Sequence, residues 1–283
     1  MAQFTNQAQL SYNNMTVSSN VAVGEIIDAL AASKTAVVET YSAGDRVTYV
    51  VSLNNSDAAP LTGLTVTDDL GGYPFAADTV YPLSYVENSL RVYIDGVLQT
   101  VQPTVTAGPP LTVSDITIPA GSNIMLIYEA DVNEFAPLSA GGTVTNNAVV
   151  TGDGLASPIT ASETIFTSAE PELTITKSIE PIPVADNGVL TYTFVIQNYG
   201  NTEADAADNI SVTDTFDPAL SNLNVTVNGA QLAATTSYTY TGNTFTTVPG
   251  AITVPAATYT QNPTTGAWSV VPGTTRLVVS GTV

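Results

Sequence analysis

The chain has 283 residues, enough for two β-domains of ordinary size, and 44% of them are hydrophobic, so sizeable cores are possible. Five basic residues (Lys34, Arg46, Arg91, Lys177 and Arg276) stand against 25 acidic ones, a formal charge of -20 that argues against nucleic acid or anionic membrane surfaces as partners. Cysteine and histidine are absent, which excludes disulfides, thiolate chemistry and imidazole-based metal or acid–base sites.

In chain order, Met1–Tyr12 (MAQFTNQAQLSY) reads as a closing β-strand placed ahead of the domains. Its Thr5-Asn6-Gln7-Ala8 lines up with Thr145-Asn146-Asn147-Ala148, in the strand that ends the first domain. Residues 13–29 read as a connector with one short strand near Val21–Ile27. Domain one spans 30–152, with strand patterns at Asp45–Leu53, Leu61–Leu70, Ser89–Leu98, Leu111–Ile118, Asn123–Val132 and Thr143–Thr151, punctuated by Gly, Pro, Asn and Asp. A second connector, 153–172, is analogous to 13–29. Domain two, 173–283, repeats the first. Leu173–Ile179 matches Leu30–Ala36, Val189–Gln197 matches Arg46–Asn54, Ile210–Phe216 matches Leu64–Leu70, Leu223–Leu232 matches Leu90–Gln99, and Thr275–Val283 matches Asn123–Asp131. An insertion, Ala256–Val271, reads as an extra hairpin, and no counterpart of the last strand follows. The fold class is all-β: two tandem Ig-like β-sandwiches with an N-terminal donor strand.

Strand alternation assigns faces. Lys34 shares parity with Leu30, Ala32 and Ala36, and Lys177 with Leu173, Ile175 and Ile179. Asp68 goes with Leu64 and Val66, Asp214 with Ile210 and Val212, Asn146 with Val144 and Ala148, and Asn6 with Phe4, Ala8 and Leu10. All six point to the core side. Burying an ion costs several kcal/mol unless it is paired, so each Lys and Asp requires a partner. Two readings meet that requirement. One is a buried Lys–Asp ion pair hydrogen-bonded to Asn. The other is a spontaneous isopeptide bond: burial lowers the lysine pKa and raises that of the aspartate, the neutral amine attacks the Asn carboxamide, and the protonated Asp polarises the carbonyl and shuttles protons as ammonia leaves. Asp68 and Asp214 are then the promoting acids, and the cross-links are Lys34–Asn146 and Lys177–Asn6.

Lys177, Leu190-Thr-Tyr-Thr193, Asn198-Tyr-Gly-Asn201, Val212-Thr-Asp-Thr215 and Asn6-Gln-Ala8 resemble the DUF11 repeats of bacterial surface proteins. The order Lys34, Asp68, Asn146 is similar to that of CnaA-type isopeptide domains of Gram-positive pilins and adhesins. The resemblance implies an extracellular structural role and Lys–Asn cross-linking; the split second domain departs from it.

A domain that lacks a strand offers an open edge, and the free strand Phe4, Asn6, Ala8, Leu10 is able to fill it. Filling it from another copy gives a head-to-tail homopolymer, because a heterologous contact propagates unless it closes into a ring. The alternative is an adhesin or carbohydrate-binding module whose N-terminal strand closes its own second domain, with Tyr238, Tyr240, Tyr259 and Trp268 as an aromatic platform. No nucleophile motif points to an enzyme, and no apolar run reaches the ~18 residues of a membrane span. No cofactor is expected; the acidic turn of Glu203, Asp205 and Asp208 is a weak candidate for Ca²⁺. No secretory signal is recognisable, so the expected location, outside the cell or on a cell or spore surface, is reached without one.

Overall fold

The computed structural model describes residues 2–12, 15–26 and 29–283. It is built almost wholly of β-strands, and the chain divides into two compact units: Met1–Ala136 with Thr143–Ile165, and Pro137–Gly142 with Phe166–Val283.

The N-terminal region holds four short strands, β1 (Ala2–Asn6), β2 (Gln9–Tyr12), β3 (Met15–Ser18) and β4 (Ala22–Ile26). Antiparallel ladders join β1 to β4 and β2 to β3. The single strand expected over 1–12 is therefore interrupted at Gln7-Ala8, and the connector expected over 13–29 carries two strands. The interruption has a local cause: the Ala8 amide donates to Ser19 Oγ (3.0 Å) instead of continuing the ladder.

The first unit's strands are β5 (Leu30–Ala36), β6 (Thr40–Tyr41), β7 (Arg46–Asn55), β8 (Leu61–Asp68), β9 (Tyr73–Phe75), β10 (Asp78–Val80), β11 (Leu83–Tyr85), β12 (Arg91–Ile94), β13 (Val97–Leu98), β14 (Thr104–Thr106), β15 (Leu111–Ile118), β16 (Asn123–Val132), β17 (Thr143–Thr151) and β18 (Ile159–Thr167). One sheet runs β13-β12-β16-β7-β5, with β11 also on β16; the other runs β14-β15-β8-β17-β18-β6. Strict alternation on β7 and β16 sends Val47, Tyr49, Val51, Leu53, Ile124, Leu126 and Tyr128 into the core between them. β18 lies within the expected linker 153–172 and belongs to this sandwich.

The second unit repeats the plan with fewer strands: β19 (Leu173–Glu180), β20 (Val189–Asn198), β21 (Thr213–Thr215), β22 (Ser221–Val227), β23 (Ala230–Gln231), β24 (Tyr238–Thr241), β25 (Thr244–Thr247), β26 (Thr258–Gln261), β27 (Trp268–Val271) and β28 (Gly273–Thr282). One sheet runs β19-β20-β28-β22-β23 and faces a short one, β21-β25-β24. Leu190, Tyr192, Phe194, Phe216, Val225, Phe245, Leu277 and Val279 fill the core. The expected insertion forms the β26–β27 hairpin.

Matching turns mark the repeat. Asp95-Gly96 and Asn228-Gly229 both have positive φ at the two central positions, the conformation a two-residue hairpin turn requires. The buried Asn55 and Asn198 each use their amide to close a loop, on the Ala59 and Thr202 carbonyls (3.0 and 2.7 Å). The ladders also correct one match. Tyr49 pairs with Tyr128 and Tyr192 with Val279, so Asn123 corresponds to Thr274 rather than Thr275. A slip of one residue exchanges the two faces of a strand.

Candidate functional site: a lysine–aspartate pair in each unit

In the first unit β5 places Lys34 opposite Val51 of β7, and its side chain is wholly buried. The ammonium meets Asp68 Oδ2 at 2.5 Å, on the last residue of β8, whose side chain is only 2% exposed. The same oxygen accepts the Tyr128 hydroxyl (2.5 Å), and Asp68 Oδ1 accepts the Leu70 amide (3.0 Å). Asn146, fully buried on β17, donates Nδ2 to the Tyr128 oxygen (3.1 Å), while its Oδ1 is buried without a hydrogen-bond partner. Tyr128 thus bridges the Asp68 carboxylate and the Asn146 carboxamide. Beneath them Tyr49 and Tyr128 stack at 5.6 Å, and Lys34 Nζ lies 5.1 Å from the Tyr49 ring centre. Burial holds the Lys34 pKa below that of a free lysine, against the opposing pull of Asp68, Asp69 and Glu163. Burial likewise pushes the Tyr49 and Tyr128 hydroxyls up, so both stay protonated.

Next to this group, Asp69 accepts the Asn147 amide on Oδ1 (2.9 Å) and the Asn147 side chain on Oδ2 (2.7 Å). This clamp fixes β17 one residue from Asn146. With β17 alongside β8, Ala148 lies opposite Asp68. β17 also lies against β5, which closes the site over Lys34.

The second unit has the same pair with no cover. Lys177 and Asp214 are in contact through Oδ2, although the contact is not aligned as a hydrogen bond. Lys177 Nζ sits 4.6 Å above the Tyr192 ring, on the core side as alternation requires. The lysine is not buried, contrary to expectation: its side chain is 42% exposed and that of Asp214 19%. Every residue of β19 is exposed, including Leu173 (40%) and Ile175 (52%), whereas Leu30 at the equivalent place on β5 is 3% exposed. The physical reason is the short second sheet. It ends at β21, and no strand among the described residues takes the place that β17 has beside β8.

Asn6, the expected partner of Lys177, ends β1 opposite Ala22 and is exposed. Ala8 and Leu10 are exposed too; the side chain of Phe4 lies outside the described residues.

The pattern of lysines, acids and amides does not point to Tyr128 or Tyr49. Their inward parity on β16 and β7 was the available signal. Three of the four aromatics of the expected platform are engaged in packing or hydrogen bonds. Tyr238 is buried against Phe245, Tyr240 packs on the core and accepts the Leu220 amide (3.0 Å), and the Tyr259 hydroxyl donates to the Tyr199 carbonyl. The Ca²⁺ candidate is spent locally. Asp205 and Asp208 make a capping box on a single turn, and no metal-holding cluster occurs among the described residues. No helix is long and apolar enough to cross a membrane, again among the described residues.

The sequence matches no described protein family and no curated protein. Among solved structures, the C-terminal fragment of the major pilin of Streptococcus agalactiae is similar at 12% identity and a TM-score of 0.33, over 52% of this chain and 58% of that one. The pilus backbone of Streptococcus pneumoniae is similar at 12% and 0.36, over 86% of this chain and 55% of that one. The major pilin subunit of Bacillus cereus gives 11% and 0.37, over 96% and 73%. The chain spans just over half the length of the two streptococcal proteins. Likenesses this distant leave the functional argument to the geometry.

Proposed function

We propose that this chain is the structural subunit of a filament outside the cell or on a cell or spore surface, assembled head to tail by donor-strand complementation and sealed by Lys–Asn isopeptide bonds. The observation that carries the reading is the contrast in cover: β17 buries the Lys34–Asp68 pair, the Lys177–Asp214 pair lies open, and the N-terminal segment carries the Thr-Asn-x-Ala sequence of β17. In the first unit the Lys34 ammonium passes a proton to Asp68 and becomes a neutral amine. It attacks the Asn146 carboxamide carbon, the C–N bond to lysine forms, the bond to the amide nitrogen breaks, and Asp68 relays one proton from the amine and gives up its own to that nitrogen, which leaves as ammonium. Aspartate is regenerated, and no external reactant is consumed. In the second unit Lys177 and Asp214 await the Asn6 strand of another copy, so the same chemistry joins two chains. The Tyr128 bridge has no counterpart there, since Val279 holds that place. The protein is thus a building element and not an enzyme; its partner is itself.

Boiled samples on a denaturing gel, with intact masses of the bands, test this. The expected result is a ladder of multimers that collapses to monomer in Lys177→Ala or Asn6→Ala, the monomer being lighter by one ammonia. Monomers lighter by two ammonias would place the second bond within one chain, and unmodified mass would reduce both lysines to plain ion pairs.

A further inference from the structure

The donor need not be a lone strand. In the first unit β17 and β18, and beyond them the two-residue β6, follow β8 in the sheet. In the second unit the corresponding sheet stops at β21, so the places of β17 and β18 are open among the described residues. β18 lies in the span 153–172, which the sequence pairs with 13–29, and that earlier span carries β3 and β4.

The N-terminal strands are already arranged as such a pair. The β1–β4 ladder ends at Asn6 opposite Ala22, and the β2–β3 ladder begins at Gln9 opposite Ser18. Two residues intervene on the first arm and three on the second, the signature of a β-bulge in one continuous hairpin. Ser19 spans the bulge. Its amide donates to the Ala8 carbonyl (2.8 Å), its Oγ accepts from Ala8 N (3.0 Å), and its carbonyl accepts from Gln7 Nε2 (2.8 Å).

Residues directly opposite across an antiparallel ladder share a face. Leu10 and its partner Val17 therefore lie on one face with Met15, and they are 64%, 51% and 53% exposed. Gln9 with Ser18, and Ser11 with Thr16, make the other face polar. Between Met1 and Gly24 there is no charged side chain, in a chain of net charge -20. A hairpin whose one charged side chain is Glu25, near its far end, and which has one bare apolar face is suited to burial against another sheet edge.

Resting on the donor reading above, we infer that what one copy gives to the next is the intact β1–β4 hairpin. β1 and β2 enter the place of β17, with Ala8 opposite Asp214 and Leu10 opposite Val212, as Ala148 and Val150 lie opposite Asp68 and Val66. β3 and β4 lie outside them in the place of β18. Assembly then requires no opening of the hairpin, and each junction adds two strands to a three-stranded sheet.

A cysteine pair tests this in the full chain, which has no cysteine of its own. Ser11 and Thr16 are register partners with hydroxyls 3.5 Å apart, so Ser11→Cys with Thr16→Cys is placed to lock β2 to β3 by a disulfide. The expected result is that the oxidised chain forms multimers as fast as the reduced one. Reduced chain that multimerises while oxidised chain does not would overturn the hairpin and leave a single-strand donor. Leu10→Asp separates the two readings: it blocks multimers whether strand or hairpin is donated. If Leu10→Asp still multimerises, the donor reading falls, and the hairpin with it.

Discussion

The two units carry the same lysine–aspartate pair on the same strands over the same tyrosine position, and they differ in what lies on top. Lys34 and Asp68 are 0% and 2% exposed; Lys177 and Asp214 are 42% and 19%. Tyr49 and Tyr192 sit beneath the two ammonium groups. Neither the lysine strand nor its neighbour makes the site. The closing strand distinguishes the two units, because it keeps water from the pair, brings the Asn146 carboxamide to Tyr128 and leaves the ions buried.

The largest effect that would break this comparison is a stability difference between matched substitutions. Lys34→Ala removes one partner of a buried pair and is expected to cost at least about 3–5 kcal/mol. Lys177→Ala in monomer removes an exposed contact worth less than about 1 kcal/mol. Urea unfolding of both variants checks this, and equal losses would mean that cover does not distinguish the units. Next comes Tyr128→Phe, which deletes the bridge between Asp68 and Asn146 while keeping the ring. It is expected to cost about 1–3 kcal/mol in a chain without the first-unit bond and to slow formation of that bond. Second-unit bonding, which has Val279 at that place, should proceed unchanged.

The smallest effect is on pH. In Asn146→Ala, which cannot cross-link the first unit, Lys34 has a folded-state pKa below its unfolded value of 10.5. Between those two values the unfolded chain binds more protons than the folded one, so stability rises with pH across that window. Below it the penalty for burying the ammonium is present in full. Adding Lys34→Met should flatten the rise in a thermal melt series, whereas Lys177→Met should leave it in place.

Much of this was legible in the residues, and the reasons for the rest are physical. Alternation alone put Lys34, Asp68 and Asn146 on one core because each strand is regular across those positions. The same rule put Lys177 on the core side but was silent on whether anything covers it, since parity gives a face and not a neighbour. β18 escaped notice because its inward residues, Ala161, Ile165 and Thr167, are a weak apolar signal broken by Glu163. The N-terminal strand was found, but its pairing with β3 and β4 depends on a bulge at Ser19 that no periodicity announces. Tyr128 was passed over because a tyrosine on a core face reads as packing until its hydroxyl is seen between two polar partners.

In the proposed filament Lys177 bonds to Asn6 of another copy while Lys34 bonds to Asn146 of its own. Chains grown in ¹⁴N and in ¹⁵N, mixed as monomers before assembly and then digested, test it directly by mass spectrometry of the linked peptides. The expected result is Lys34–Asn146 peptides with a single isotope and Lys177–Asn6 peptides in all isotope combinations. Lys177–Asn6 peptides that never mix isotopes, or no such peptide in boiling-resistant multimers, would contradict it.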